Sequence, residues 1–155
     1  MKKNLLFVVF VLVLSFIGCS SSKNNSVASQ AMPQSALQGV WQLSKEFPAK
    51  EMLLSGYNPI VYSTYKIVDR IGDFTNIIRN NRGTYITANG TYSFSESEYT
   101  EHVVRSFTSP EFSGTDNKMT YEILHNKFLI LKYPVGGGRY VNELWVRVPY
   151  GNPLN

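Results

Sequence analysis

The chain has 155 residues, 15 basic against 11 acidic side chains, a net charge of +4 and a single cysteine. A charge this small and this dispersed argues against a nucleic-acid partner, and one cysteine excludes a disulfide framework within the chain. At the amino end Lys2 and Lys3 precede an apolar run from Leu5 to Ile17, interrupted only by Ser15 and closed by the small residue Gly18. Charged, then apolar, then small is the layout of a secretory signal, and 13 residues fall short of the roughly 20 that cross a bilayer as a helix.

Cleavage after Gly18 would place the thiol of Cys19 on a new amino terminus. The stretch Phe16-Ile17-Gly18-Cys19 resembles the lipobox of bacterial lipoproteins, with Phe16 where leucine is usual. The resemblance implies a signal peptide over residues 1–18, a diacylglyceryl group on the Cys19 sulfur and an acyl chain on its freed amine. It also implies a lipid-anchored protein of the bacterial cell envelope, with the outer membrane as the expected site. A general secretory signal with an incidental cysteine is the alternative. Acylation removes a thiol that would otherwise be reactive or paired outside the chain, and two or more acyl chains give stable anchoring. Residues 19–36 are then the lipidated cysteine and its tether, because Ser20 to Ser35 contains neither an aromatic nor an acidic residue. Loss of the signal removes Lys2 and Lys3, leaving 13 basic against 11 acidic residues and a mature charge of +2.

Residues 37–155 are enough for one domain with a single core. The first strand is predicted at Gly39 to Ser44, where Trp41 and Leu43 alternate with Gln42 and Ser44. A longer connection follows, with a short helix over Ala49 to Leu54 that Gly56 and Pro59 bring to an end. Further strands are predicted at Val61 to Val68, Phe74 to Arg79 and Thr84 to Phe94, the last interrupted by a bend, bulge or turn at Asn89-Gly90. Four more run over Tyr99 to Phe107, Lys118 to Leu124, Lys127 to Tyr133 and Arg139 to Val148. His125-Asn126 suits a hairpin turn, and Gly136-Gly137-Gly138 reads as a hairpin tip because no lysine and helix follow it as in a phosphate loop. The fold class is all-β. Eight strands joined by short sequential connections favour an antiparallel up-and-down barrel over a sandwich, which keeps its edges and needs Greek-key crossovers.

Gly39-Val40-Trp41 resembles the Gly-X-Trp signature on the first strand of lipocalins and related calycin barrels. Arg147, in the last strand, matches the late arginine that covers that tryptophan in the family. The resemblance implies a lipocalin-like barrel whose closure rests on Gly39, Trp41 and Arg147, and the whole chain resembles small lipocalin-like bacterial lipoproteins of families of unknown function. It also implies that the long first connection covers the open end, so Phe47, Met52, Leu53 and Leu54 are expected to form an apolar lid.

No catalytic or metal-binding constellation is evident, and neither an enzyme nor a cofactor is expected. Glu101 and His102 are neighbours on a strand and face opposite ways, and the two histidines stand at no metal-ligand spacing. A binding site is the better expectation. If Tyr99 and Val103 face inward, so do Glu101 and Arg105, and if Trp145 and Arg147 face inward, so does Glu143. Tyr65, Tyr92, Tyr99, Tyr121 and Tyr133 on predicted strands offer aromatic walls with hydroxyl tips. The ligand-binding candidates are therefore Tyr65, Tyr92, Tyr99, Glu101, Arg105, Tyr121 and Glu143, holding a small, largely apolar or amphiphilic ligand in a monomeric barrel. An internal salt-bridge network, tyrosines as plain core, and a filled barrel whose outer face docks another envelope protein are the competing readings.

Overall fold

The computed structural model describes residues 36–149. Cys19, the signal segment and the tether lie outside the described residues. Eight strands follow in chain order: β1 Gly39–Ser44, β2 Val61–Val68, β3 Asp73–Asn80, β4 Gly83–Phe94, β5 Glu98–Ser106, β6 Thr115–Leu124, β7 Phe128–Pro134 and β8 Tyr140–Arg147. Each pairs antiparallel with the next, and β8 returns to β1 through Trp41↔Arg147, Gln42↔Val146 and Leu43↔Trp145. The result is a closed, lipocalin-like up-and-down barrel, which leaves no sheet edge unpaired.

Alternation puts Trp41, Val68, Phe74, Tyr92, Tyr99, Val103, Met119, Leu129, Leu131 and Trp145 inside as one buried cluster with Leu37. One end is stoppered. The Trp41 indole nitrogen donates to the Leu37 carbonyl at 2.7 Å, and the Arg147 guanidinium lies 3.9 Å from the centroid of the Trp41 ring. That guanidinium also donates to the carbonyls of Gln38 (2.6 Å) and Asn126 (2.7 Å), tying the entry to β1 and the β6–β7 turn onto the barrel's closed end. The turn itself is tight, with His125 and Asn126 both at positive φ (50° and 54°), the conformation that the two central residues of a type I′ turn require.

The Asn89-Gly90 signal is a β-bulge. Opposite it Val103 pairs with Gly90 and Arg105 with Asn89, which leaves Val104 as the extra residue. A Cβ on Gly90 would lie 2.0 Å from the His102 carbonyl oxygen, so only glycine allows the two backbones to approach this closely. The bulge inverts the facing of β5 beyond it, so that Ser106 is buried and Arg105 is exposed, its guanidinium over the Phe107 ring at 5.5 Å. The inward Arg105 expected from strict alternation is thereby corrected.

The expected lid is also corrected. The helix α1, Lys50–Leu54, buries Leu53 with Leu124, Phe128 and Leu144, which are outward-facing residues of β6, β7 and β8. Lys50 pairs with Glu122, and Lys127 donates to Asn58 at 2.6 Å, holding the connection against the outside of the barrel. Phe47, Met52 and Leu54 remain largely exposed. The physical reason is that Leu124, Phe128, Ile130, Leu144 and Val146 form an apolar patch on the outer face of β6 to β8, and packing Leu53 against it removes that hydrocarbon from water.

Candidate ligand cavity

Above the stoppered end the inward positions change in size and character. Thr64 and Lys66 on β2, Asn76 on β3, Thr87 and Ala88 on β4, Glu101 and Val103 on β5, and Asn117 and Met119 on β6 surround a cavity of about 710 Å³. Leu43, Tyr133, Glu143 and Trp145 complete the wall on the β7–β8–β1 side. The exposed Phe112 and Val135 also line it, which places its mouth between the β5–β6 connection and the β7–β8 hairpin. Small side chains make the space, since a threonine, alanine or serine reaches less far toward the barrel axis than the aromatics below them.

The floor holds a buried ion pair. Lys66 and Glu101 are each only 3% exposed and joined by a direct salt bridge, while the Tyr99 hydroxyl donates to the same Glu101 oxygen at 2.9 Å. The ammonium also lies 5.3 Å from the centroid of Trp145, 5.4 Å from Phe74 and 6.0 Å from Tyr99. A charge buried alone would cost several kcal/mol; here a carboxylate, a phenol and three ring faces share the compensation. Higher in the wall, Glu143 accepts from the Tyr133 hydroxyl at 2.9 Å and from the Trp145 indole nitrogen at 3.0 Å. Burial, with Glu101 beside it, pushes the Tyr99 hydroxyl well above the ordinary phenol range. Burial and then the neighbouring Glu143 carboxylate do the same to Tyr133. Both phenols therefore stay protonated and act as donors to the carboxylates.

Of the seven ligand-binding candidates, Glu101 and Glu143 line the cavity, and Tyr99 touches it through its bond to Glu101. Tyr92 and Tyr121 face inward but belong to the closed end, their hydroxyls donating to the carbonyls of Asp69 (2.6 Å) and Ser95 (2.7 Å) in the turns there. Tyr65 is corrected along with Arg105. It pairs with Gln42 and Ile77 on the outer face, and its hydroxyl accepts from the Gln42 amide at 3.2 Å. The residue that sequence reasoning missed is Lys66. Its signal was the register set by Trp41, which pairs with Lys66 across β1 and β2 and therefore shares its face. The expected pair of inward acids is met by one buried lysine in place of two arginines.

His102 points away from the cavity and bonds Asp116 through Nδ1 at 2.7 Å on the exposed side. Among the described residues no group of three or more His, Cys, Asp or Glu is placed to hold a metal ion.

Several solved structures are similar to the chain, among them two from Bacteroides. One is an uncharacterized protein from Bacteroides eggerthii, 18% identical with a TM-score of 0.49, over 72% of this chain and 98% of that one. The other is a lipocalin-like protein from Bacteroides uniformis, 16% identical with a TM-score of 0.49, over 74% of this chain and 100% of that one. No curated protein matches. The family model of a domain of unknown function, DUF4488, matches residues 36–153, which takes in the whole barrel. The chain thus belongs to the DUF4488 family.

Proposed function

We propose that this protein is a lipid-anchored, non-enzymatic carrier of the bacterial cell envelope, whose barrel takes up one small amphiphilic molecule. The observation that carries the reading is the cavity of about 710 Å³, within the ~300–1,000 Å³ typical of small-molecule sites. Leu43, Val103, Met119 and Trp145 offer the ligand's body an apolar surface, and Glu143 and the threonine and asparagine side chains around the cavity offer its polar group hydrogen bonds. The anchor is Cys19, supported by the charged, apolar and small succession before it. The carrier acts as a monomer. An unfilled interior weighs against the alternative of a solid barrel working only through its outer face.

Native mass spectrometry of the protein purified from its own host, the wild type from membranes and Cys19→Ala from whole cells, tests both halves. The wild type is expected to carry an acyl-modified amino terminus and a co-purifying small molecule. The Cys19→Ala protein is expected to lose the acyl mass and keep the small molecule. An unmodified Cys19 in membrane-attached wild type would remove the anchor, and an empty barrel in both preparations would remove the carrier.

A further inference from the structure

We propose that the cavity selects ligands carrying a positive charge, with a protonated amine docked on the Glu143 carboxylate. The inference rests on the cavity being a ligand site and adds the chemical class of the ligand.

Among the described residues, three charged side chains line the cavity: Lys66, Glu101 and Glu143. Lys66 and Glu101 neutralise one another in their buried salt bridge. Glu143 is different, because both of its hydrogen-bond partners, Tyr133 and Trp145, are neutral donors. Among the described residues no ion pair reaches it. One cation against two carboxylates leaves the cavity wall with a charge of −1. Arg105, which alternation would have placed inside as a counter-charge, is turned outward by the bulge at Gly90.

A carboxylate facing a partly enclosed, low-dielectric space is stabilised strongly by an incoming cation and opposes an incoming anion. It also has lone pairs to spare, since an ionised carboxylate accepts about four hydrogen bonds and Glu143 has two. An anion, by contrast, would face Glu143 and find Lys66 already engaged and only 3% exposed. The Tyr133 hydroxyl is raised first by burial and then by the Glu143 carboxylate, with Glu101 adding a smaller share.

The test uses the full chain in phosphatidylcholine nanodiscs and two sets of probes, each with one apolar body and three head groups: decylamine, decanol and decanoate; and tryptamine, tryptophol and indole-3-acetate. Calorimetric titration is expected to show the amine binding at least tenfold more tightly than the matched alcohol in one or both sets, and the acid more weakly than either. Glu143→Gln is expected to collapse the amine's advantage over the matched alcohol to within about threefold. Equal affinities within each set, or a preference for the acid, would overturn the charge selection and leave the cavity standing as a ligand site. No binding of any probe would overturn both. The comparison of head groups in the wild type decides the matter even where the variant folds poorly.

Discussion

Toward the closed end of the barrel the inward positions of β1, β3, β4 and β5 carry Trp41, Phe74, Tyr92 and Tyr99, and toward the open end β2, β3, β4 and β5 place Thr64, Asn76, Ala88 and Ser106 inside. One pattern of alternation thus builds a packed core in one half and an open cavity in the other, and the difference lies in the volume and polarity of the side chains. Close-packed aromatics hold the fold together through dispersion and area removed from water. Short polar side chains give up that stabilisation locally and leave room for something else to be bound. Stability and binding are therefore assigned to opposite halves.

The largest expected effect breaks the closed half. Trp41→Ala removes a fully buried indole, its bond to Leu37 and its cover by Arg147, and should cost about 3–5 kcal/mol. Thr64→Ala, in the open half, should cost less than about 1 kcal/mol, because its methyl and hydroxyl already border open space. Chemical denaturation measures both. Arg147→Ala should destabilise less than Trp41→Ala, and a double-mutant cycle between them reads the stacking directly. Strict additivity would mean that the guanidinium over the ring contributes nothing.

The boundary between the halves is the Lys66–Glu101 pair, and the next prediction sharpens it. Lys66→Met leaves Glu101 buried without its cation and should cost about 3–5 kcal/mol. Lys66→Met combined with Glu101→Gln removes both charges and should recover most of that loss, since two neutral groups of similar shape need no counter-ion. A double variant as unstable as the single one would show that the pair matters for packing and not for charge.

How much of this was legible beforehand depended on which physical signal each residue carried. Period-two alternation located every strand of the barrel to within a few residues, because burial on one face is written directly into the sequence. His125-Asn126 and Asn89-Gly90 were readable because tight turns and close backbone approaches demand particular residues. The facing of Arg105 was not, since one extra residue at Val104 inverts everything beyond it and leaves no mark of its own in the pattern. Tyr65 misled because tyrosine favours strands on either face. The position of α1 was hidden as well: Leu53 announces an apolar contact but not with which surface, and the answer lay in Leu124, Phe128 and Leu144 far along the chain. Cavity volume is a sum over strands that no single segment contains.

The smallest effect compares the two halves through their phenols. Tyr99 sits on the floor against Glu101, and Tyr133 stands in the cavity wall against Glu143. Both hydroxyls are raised above the ordinary value near 10, in each case first by burial and then by the carboxylate. Below pH ~10 the folded and unfolded chains both hold these protons, and the groups give stability no pH dependence. Above it the unfolded chain releases them while the folded chain keeps them, so the unfolded state gains and stability falls as pH rises toward the folded values. Each phenol contributes at most one proton's slope, about 1.4 kcal/mol per pH unit, and the nearly fully buried Tyr99 should sustain it to higher pH than the partly exposed Tyr133, whose shift solvent screens. Denaturation between pH 9 and 12, compared across wild type, Tyr99→Phe and Tyr133→Phe, measures the two slopes on the order expected from these shifts. Tyr99→Phe should flatten the alkaline fall more than Tyr133→Phe. The reverse order would mean that the cavity wall, and not the floor, is the drier environment, and the division of the barrel into a packed half and a solvent-accessible half would have to be redrawn above Glu143.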